Sequence, residues 1–284
     1  MSEENKVKVG LLVDITENYE QKLRHAKSLG FSFGQLANWN MDFYTPENLE
    51  ALKSLISELD FTVTDFWCGW SGPVIWEGDE KYASLGLVPK KYRAKRLEDL
   101  KKGAKFAYDL GVMSIVSHTG YIPDDPEAEG HIGVIKALKE LCAELKKRGQ
   151  TFAFETGEEL PYTLGKMITE IGTGNVGVNF DPANFITCGR GNPNDAMDYL
   201  GTKLFGLHAK DGVPAVFGET EGKQAPIGEG KVDFERLFLQ VKKAGYTGDI
   251  VIEHEMYNRP DRDGDIIKAK NYLETIINKI ENMR

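Results

Sequence analysis

A short apolar run followed by a longer amphipathic one, repeated eight times, is the feature that most limits how this chain can fold. Strand patterns rich in Val, Ile and Phe fall near 8–14, 31–36, 61–67, 112–118, 151–155, 176–181, 204–209 and 249–254. Helical patterns near 17–29, 46–59, 93–110, 131–148, 160–171, 194–200, 232–244 and 265–282 separate them. Several helices carry end signals. Asp233 stands ahead of "FERLFLQVKKAG", which closes on Gly245, and "AKSLG" and "AYDLG" also stop on glycine. Strict alternation implies right-handed strand–helix–strand units and a parallel sheet. Eight such units in 284 residues fit one domain spanning 1–284, a single (β/α)8 TIM barrel. A doubly wound open sheet is the competing arrangement of such units. No GxGxxG follows the first strand, no phosphate loop of the GxxxxGK type is present, and "CGRGNPN" opens a short helix after the sixth strand.

In such a barrel every loop that follows a strand lies on the active-site face. One of these loops breaks the rhythm. About residues 68–92, "CGWSGPVIWEGDEKYASLGLVPKKY", separate the third strand from the third helix and hold Trp70, Trp76 and Tyr82. A loop this long in a compact barrel is usually functional. Trp70 and Trp76 are expected to form flat apolar platforms for a sugar ring.

Four apolar runs end in a group able to hold a divalent metal: "TFAFE" in Glu155, "VGVNFD" in Asp181, "LFGLHA" in His208 and "DIVIE" in Glu253. They close strands five to eight. Neighbouring strands lie about 4.8 Å apart, so four adjacent ends can converge on one ion. Three carboxylates packed together repel, and a cation removes that cost. Three oxygen ligands and one imidazole favour one divalent ion, Mn²⁺ ahead of Mg²⁺ or Co²⁺, with Zn²⁺ also compatible. Strand alternation puts Glu253 and Glu255 on one side and His254 on the other. Glu253, nearer the apolar run, is the expected ligand, and His254 is expected in a structural hydrogen bond.

Composition narrows the partners. The chain is 41% hydrophobic and 28% charged, with a net charge of −9, which disfavours nucleic acid. Lys and Arg are scattered over helical faces such as "KKYRAKRLEDLKK". Cys68, Cys142 and Cys188 are far apart and form no CxxC, which suits a reducing compartment. The start "MSEENKVKVG" is polar, with no visible signal peptide, and no run approaches the about 20 apolar residues of a membrane span. The expected setting is cytoplasmic, with a small-molecule partner, no membrane and no nucleic acid. Homo-oligomerisation is left open.

On the motifs "FAFETG", "GVNFDPANF", "LFGLHAKDG" and "GYTGDIVIEHE", the chain resembles the xylose isomerase-like superfamily of sugar isomerases and epimerases over essentially its whole length. Its character is that of the ketose 3-epimerase and inosose dehydratase branch. The resemblance implies that Glu155, Asp181, His208 and Glu253 hold one divalent metal. It also implies that Glu155 and Glu253 are the catalytic acid/base pair. Two positions depart from the ketose 3-epimerase pattern. Asn184 stands where a substrate-binding His is usual, and Pro214 stands where an Arg is usual, with Lys210 and Asp211 offered instead.

The implied activity is that of a metal-dependent sugar isomerase or epimerase, chiefly a ketose or keto-sugar 3-epimerase. One carboxylate removes the proton beside a carbonyl, a metal-held enediolate forms, and the other carboxylate reprotonates the opposite face. His118, Glu158, Asn184, Lys210, Asp211, Trp70 and Trp76 are the candidate substrate contacts, with Arg190 a weaker one. His118 is also a candidate contact to Glu155. A lyase acting on an inosose or 3-oxo-glycoside would use the same metal and base. An endonuclease IV-like enzyme would need three metals and more histidines than the five present. A non-catalytic sugar-binding barrel would have no need to retain all four ligands.

Overall fold

The computed structural model describes residues 7–76 and 78–282. Most of the polar N-terminal stretch, and Glu77 in the long third loop, lie outside the described residues. Among the described residues, eight parallel strands close into a barrel. They are β1 (Val9–Asp14), β2 (Phe33–Asn38), β3 (Thr62–Cys68), β4 (Ser114–Ser117), β5 (Thr151–Glu155), β6 (Val176–Phe180), β7 (Leu204–Ala209) and β10 (Ile250–Ile252). A two-stranded antiparallel hairpin, β8 (Asp211–Val213) and β9 (Lys223–Ala225), is inserted after β7. Barrel neighbours run β1-β10-β7-β6-β5-β4-β3-β2, with β1 closing on β2. This is the expected single (β/α)8 barrel.

The surrounding helices are α1 (Tyr19–Ser28), α2 (Pro46–Glu58), α4 (Lys90–Leu110), α5 (Glu129–Lys147), α6 (Pro161–Ile171), α8 (Pro193–Leu200), α9 (Phe234–Lys243) and α10 (Arg262–Glu281). Two short helices, α3 (Lys81–Ser84) and α7 (Pro182–Thr187), sit in loops at the mouth. No described helix is long and apolar enough to cross a membrane. Local chemistry explains the ends. Thr45 accepts the Asn48 amide ahead of α2, and Asp233 accepts the Arg236 amide ahead of α9.

The second and fourth strands start two residues later than the apolar runs suggested. Phe31 donates its amide to the Ala26 carbonyl, and Val112 donates to Ala107, each just past a glycine with positive φ. Both residues therefore belong to the wrap that ends a helix and not to the sheet. They are apolar because that wrap packs on the core, so a hydrophobic run alone does not separate them from the strand.

Alternation sorts the strand residues into two environments. Phe152 and Phe154 of β5 join the large core between sheet and helices. Ala153 joins a smaller inner cluster with Ala37, Trp67, Trp70 and Val116. Glu155, two residues beyond Ala153, shares the inward side. Pairing of β2 with β3 steps from Gly34–Val63 to Leu36–Phe66, so β3 carries one extra residue there.

The long third loop is pinned from beneath by α4. Arg96, 1% exposed, donates to the carbonyls of Ser71, Pro73 and Gly86, with its guanidinium 5.5 Å from the Trp70 ring. Asp99 accepts from the Ser71 amide and hydroxyl. Arg96→Met should strand the Gly86 carbonyl, whose bond to Arg96 is the fully buried one of the three, and lower stability by about 1–3 kcal/mol, the cost of one stranded buried group. Urea unfolding followed by circular dichroism measures this, and limited proteolysis should show first cleavage within 70–90.

Candidate metal centre

Glu155 ends β5, Asp181 follows β6, His208 lies on β7 and Glu253 follows β10, so the four come from adjacent elements of the barrel. All are buried, and one ligand atom from each lies within 4.8 Å of the others. His208 Nδ1 is 3.3 Å from Glu155 Oε1, 3.2 Å from Glu253 Oε2 and 3.8 Å from Asp181 Oδ2.

Three of the four are aimed by a group behind them, and Glu253 is held from the side of the centre by Lys210. Asp181 Oδ1 caps α7 by accepting the amides of Ala183 and Asn184 at 2.8 and 3.1 Å, which turns Oδ2 to the centre. His208 Nε2 is 2.9 Å from Gln35 Oε1; the amide oxygen accepts, so the proton sits on Nε2 and Nδ1 faces the carboxylates. Trp67 Nε1 donates to Glu155 Oε2 at 2.5 Å, leaving Oε1 toward the centre. Lys210 Nζ donates to Glu253 Oε2 at 3.1 Å and to Glu255 Oε2 at 2.5 Å. Gly157, at φ 137°, makes room for this packing: a Cβ there would lie 2.0 Å from Asn184 Cβ.

The donor set fits a divalent ion. Asp181 Oδ2 and His208 Nδ1 are buried with no hydrogen-bond partner, although both face the same small space. Buried polar atoms normally have partners, and a metal supplies one. The electrostatics agree. Burial and then the charge of Glu253 push Glu155 above the usual carboxylate range. Burial opposes ionisation of Asp181, but Lys210 and His208 hold its carboxyl below that range. Burial also disfavours the His208 cation, yet the charge of Glu253 and the nearby carboxylates of Asp181 and Glu155 drive it well above the usual imidazole value.

Beyond the four ligands opens a cleft of about 850 Å³, lined by Trp76, His118, Glu158, Asn184 and Lys210 among others. His118 Nδ1 accepts the Gly120 amide, so Nε2 carries the proton and stands 2.6 Å from Glu158 Oε2. His118 thus faces Glu158, where the sequence suggested Glu155. Burial and the charge of Glu158 push the neighbouring Glu159 up to about 8. Asn184 Nδ2 donates to the Thr156 carbonyl.

Two candidate contacts take other roles. Trp70 is 2% exposed and does not line the cleft; it backs Trp39 at 4.9 Å between ring centroids. Asp211 is fully buried, and its two oxygens accept the amides of Gly212, Gly228, Gly230 and Val232. Its role is to fold the loop after β9. Arg190 does not line the cleft either. His254 lines the cleft but makes no hydrogen bond through its ring, standing 3.9 Å from Asp265 instead of in the expected bond.

Gln35, Trp67, Trp39, Tyr121 and Glu221 were not singled out from sequence. Gln35 had a signal, being the one amide side chain inside the otherwise mostly apolar run "FSFGQL". Glu221 had none. It pairs with the buried Lys81 of α3 and joins the third loop to the β8–β9 connection across the mouth.

A closed parallel barrel with two Glu, one Asp and one His gathered at its C-terminal mouth defines a TIM barrel with a candidate metal-ligand centre. The chain belongs to the xylose isomerase-like TIM barrel family, whose model matches residues 23–276. It is 28% identical over 274 residues to the L-ribulose-5-phosphate 3-epimerase UlaE of Shigella boydii, covering 91% of this chain and 89% of that protein. A solved xylose isomerase domain protein from Planctomyces limnophilus superposes with a TM-score of 0.90 at 25% identity, covering 98% of this chain and 99% of that one. An L-ribulose 3-epimerase structure superposes at 0.72 with 16% identity, covering 97% of each chain, a likeness of fold.

Two outcomes follow. The raised His208 must lose its proton before Nδ1 can bind a metal. Mn²⁺ binding near neutral pH should therefore release a proton and tighten as pH rises. Calorimetric titration in two buffers of different ionisation enthalpy reads the proton count. The tryptophans should separate: Trp70→Ala should cost roughly 3–5 kcal/mol of stability. Trp76, 42% exposed, should cost far less on the same change, as thermal unfolding will read.

Proposed function

We propose that this protein is a divalent-metal-dependent sugar epimerase, a ketose or keto-sugar 3-epimerase that moves a proton at the carbon beside a carbonyl. The observation that carries this reading is the placement of Glu155 and Glu253. They come from β5 and from the end of β10, on opposite sides of the ligands from β6 and β7. A sugar lying across the centre would present opposite faces of one carbon to the two carboxylates, which is what inversion requires. The epimerase names of the curated relatives support the same reading.

Glu155, Asp181, His208 and Glu253 would hold the ion, and Mn²⁺ suits three oxygens and one imidazole, with Mg²⁺, Co²⁺ and Zn²⁺ also compatible. When bound, it supplies the positive charge that makes a proton beside a carbonyl acidic. Glu155, with Oε2 held by Trp67 and Oε1 turned to the centre, is placed to accept a proton from a sugar lying there. The Trp67 indole fixes one Glu155 oxygen, and Lys210 fixes Glu253. Trp76, His118, Glu158 and Asn184 line the cleft where hydroxyls and the sugar face would rest. The Lys81–Glu221 pair closes one side of the mouth and restricts water.

Glu155→Gln and Glu253→Gln, saturated with Mn²⁺, should each lose about 10²–10⁴-fold in epimerisation, the usual contribution of an acid or base. Each should retain solvent deuterium exchange from one epimer only. Asp181→Asn should lose metal affinity and regain rate when Mn²⁺ is added. Restoration of both glutamate variants by metal alone would place the bases elsewhere.

A further inference from the structure

Among the described residues, Gln35 is the one hydrogen-bond partner of the His208 ring on the side away from the carboxylates, at 2.9 Å. Both side chains are buried, Gln35 completely. Their strands are not neighbours. β1 and β10 lie between β2 and β7, so the bond spans the barrel interior. The amide has no second anchor, because its Nε2 has no hydrogen-bond partner among the described residues. The backbone beside Gln35 is irregular. Thr64 and Asp65 of β3 both stand opposite it, since the pairing steps from Gly34–Val63 to Leu36–Phe66. Bulges of this kind occur next to sites, where they re-aim a side chain. Gly34, just before Gln35, lets β1 come close, and a Cβ there would overlap the Leu11 carbonyl oxygen.

The bond decides which nitrogen of His208 is free. A neutral imidazole carries one proton, on either nitrogen. The carboxylates of Glu253, Glu155 and Asp181, at 3.2, 3.3 and 3.8 Å from Nδ1, would draw it there. A proton on Nδ1 blocks the lone pair that a metal needs. The Gln35 oxygen gives Nε2 a competing acceptor, and with the proton on Nε2 the Nδ1 lone pair faces the centre.

The amide does this without charge. Glu155, Asp181 and Glu253 bring three negative charges to the centre. Lys210, 3.1 Å from Glu253 and 3.7 Å from Asp181, brings one positive charge. A divalent ion held there would bring the sum to zero. Glu255, the other partner of Lys210, is half exposed and screened by water. A carboxylate in place of the amide, the other common partner of a ligating imidazole, would bury a fourth negative charge.

Resting on the metal-centre reading above, we propose that Gln35 is a positioning residue. Its amide oxygen holds His208 in the tautomer and orientation that present Nδ1 to a divalent ion, and its neutrality keeps the centre balanced for that ion. Partners of this kind contribute about 10–100-fold in metal affinity.

The test compares the parent with Gln35→Met, close in length but without an acceptor, and with Gln35→Glu, which keeps one. Electron paramagnetic resonance of free Mn²⁺ gives Kd, and thermal unfolding of the metal-free proteins gives Tm. Gln35→Met should bind Mn²⁺ about 10–100-fold more weakly than the parent, with a metal-free Tm no lower. Gln35→Glu should bind at least about 10-fold more tightly than Gln35→Met, while its metal-free Tm falls below that of Gln35→Met. A residue that only fills the core would make affinity follow stability, whereas these two variants should rank in opposite orders. Gln35→Met binding within about 3-fold of the parent, short of the usual contribution, would overturn the proposal. So would Gln35→Glu binding no better than Gln35→Met, or a Gln35→Met protein that melts below the parent or fails to fold, since the role would then be structural. If the parent itself binds no Mn²⁺, the metal-centre reading fails and the proposal falls with it; if the parent binds and Gln35→Met matches it, the proposal alone falls.

Discussion

Three carboxylates buried together at one end of a barrel are the constraint around which the upper half of this molecule is arranged. Glu155, Asp181 and Glu253 lie within a few ångströms of one another and are nearly or fully shielded from water. Such a cluster is unfavourable unless positive charge meets it. The protein supplies two cationic side chains, His208 at the centre and Lys210 at the side, and leaves ligand atoms of Asp181 and His208 without partners. A divalent ion held there would complete the balance and displace a proton from His208.

The surrounding residues hold that cluster in one geometry. The α7 amides, Gln35 and Trp67 each bond one of the four from behind, and Lys210 bonds the centre-facing oxygen of Glu253, so the atoms at the centre have little freedom. Trp67 also links the centre to the aromatic wall, because its ring lies 4.7 Å from Trp39 and 6.0 Å from Trp70. Trp70 rests on Arg96, and Arg96 holds the loop that carries Trp76 to the cleft. A continuous path of packing therefore runs from α4 to the site. All four tryptophans of the chain lie on it.

The four candidate ligands were legible as a cluster because each closes an apolar run, and strand ends of a closed parallel barrel converge by geometry. The roles of Trp70 and Asp211 were not. Both follow barrel strands at the mouth, Trp70 in a loop and Asp211 at the start of β8, with side chains suited to sugar binding, and composition cannot say which way such a residue turns. Trp70 faces down because Arg96 and Trp39 await it there. Asp211 turns inward because the amides of the 228–232 turn need an acceptor. His118 faces Glu158 because the Gly120 amide rotates its ring.

The sequence by itself determined the eight-fold alternation, the barrel and the four residues that gather at its mouth, since these follow from periodicity along the chain and from which residue ends each strand. Only the tertiary structure decided what stands behind each ligand and which candidates reach the cleft. Gln35 is 173 residues from His208 along the chain, Trp67 is 88 from Glu155, and Lys81 meets Glu221 across the mouth. Such pairs leave no periodic trace, because their meeting depends on how the barrel closes and how its loops pack, and neither is set by neighbours in sequence.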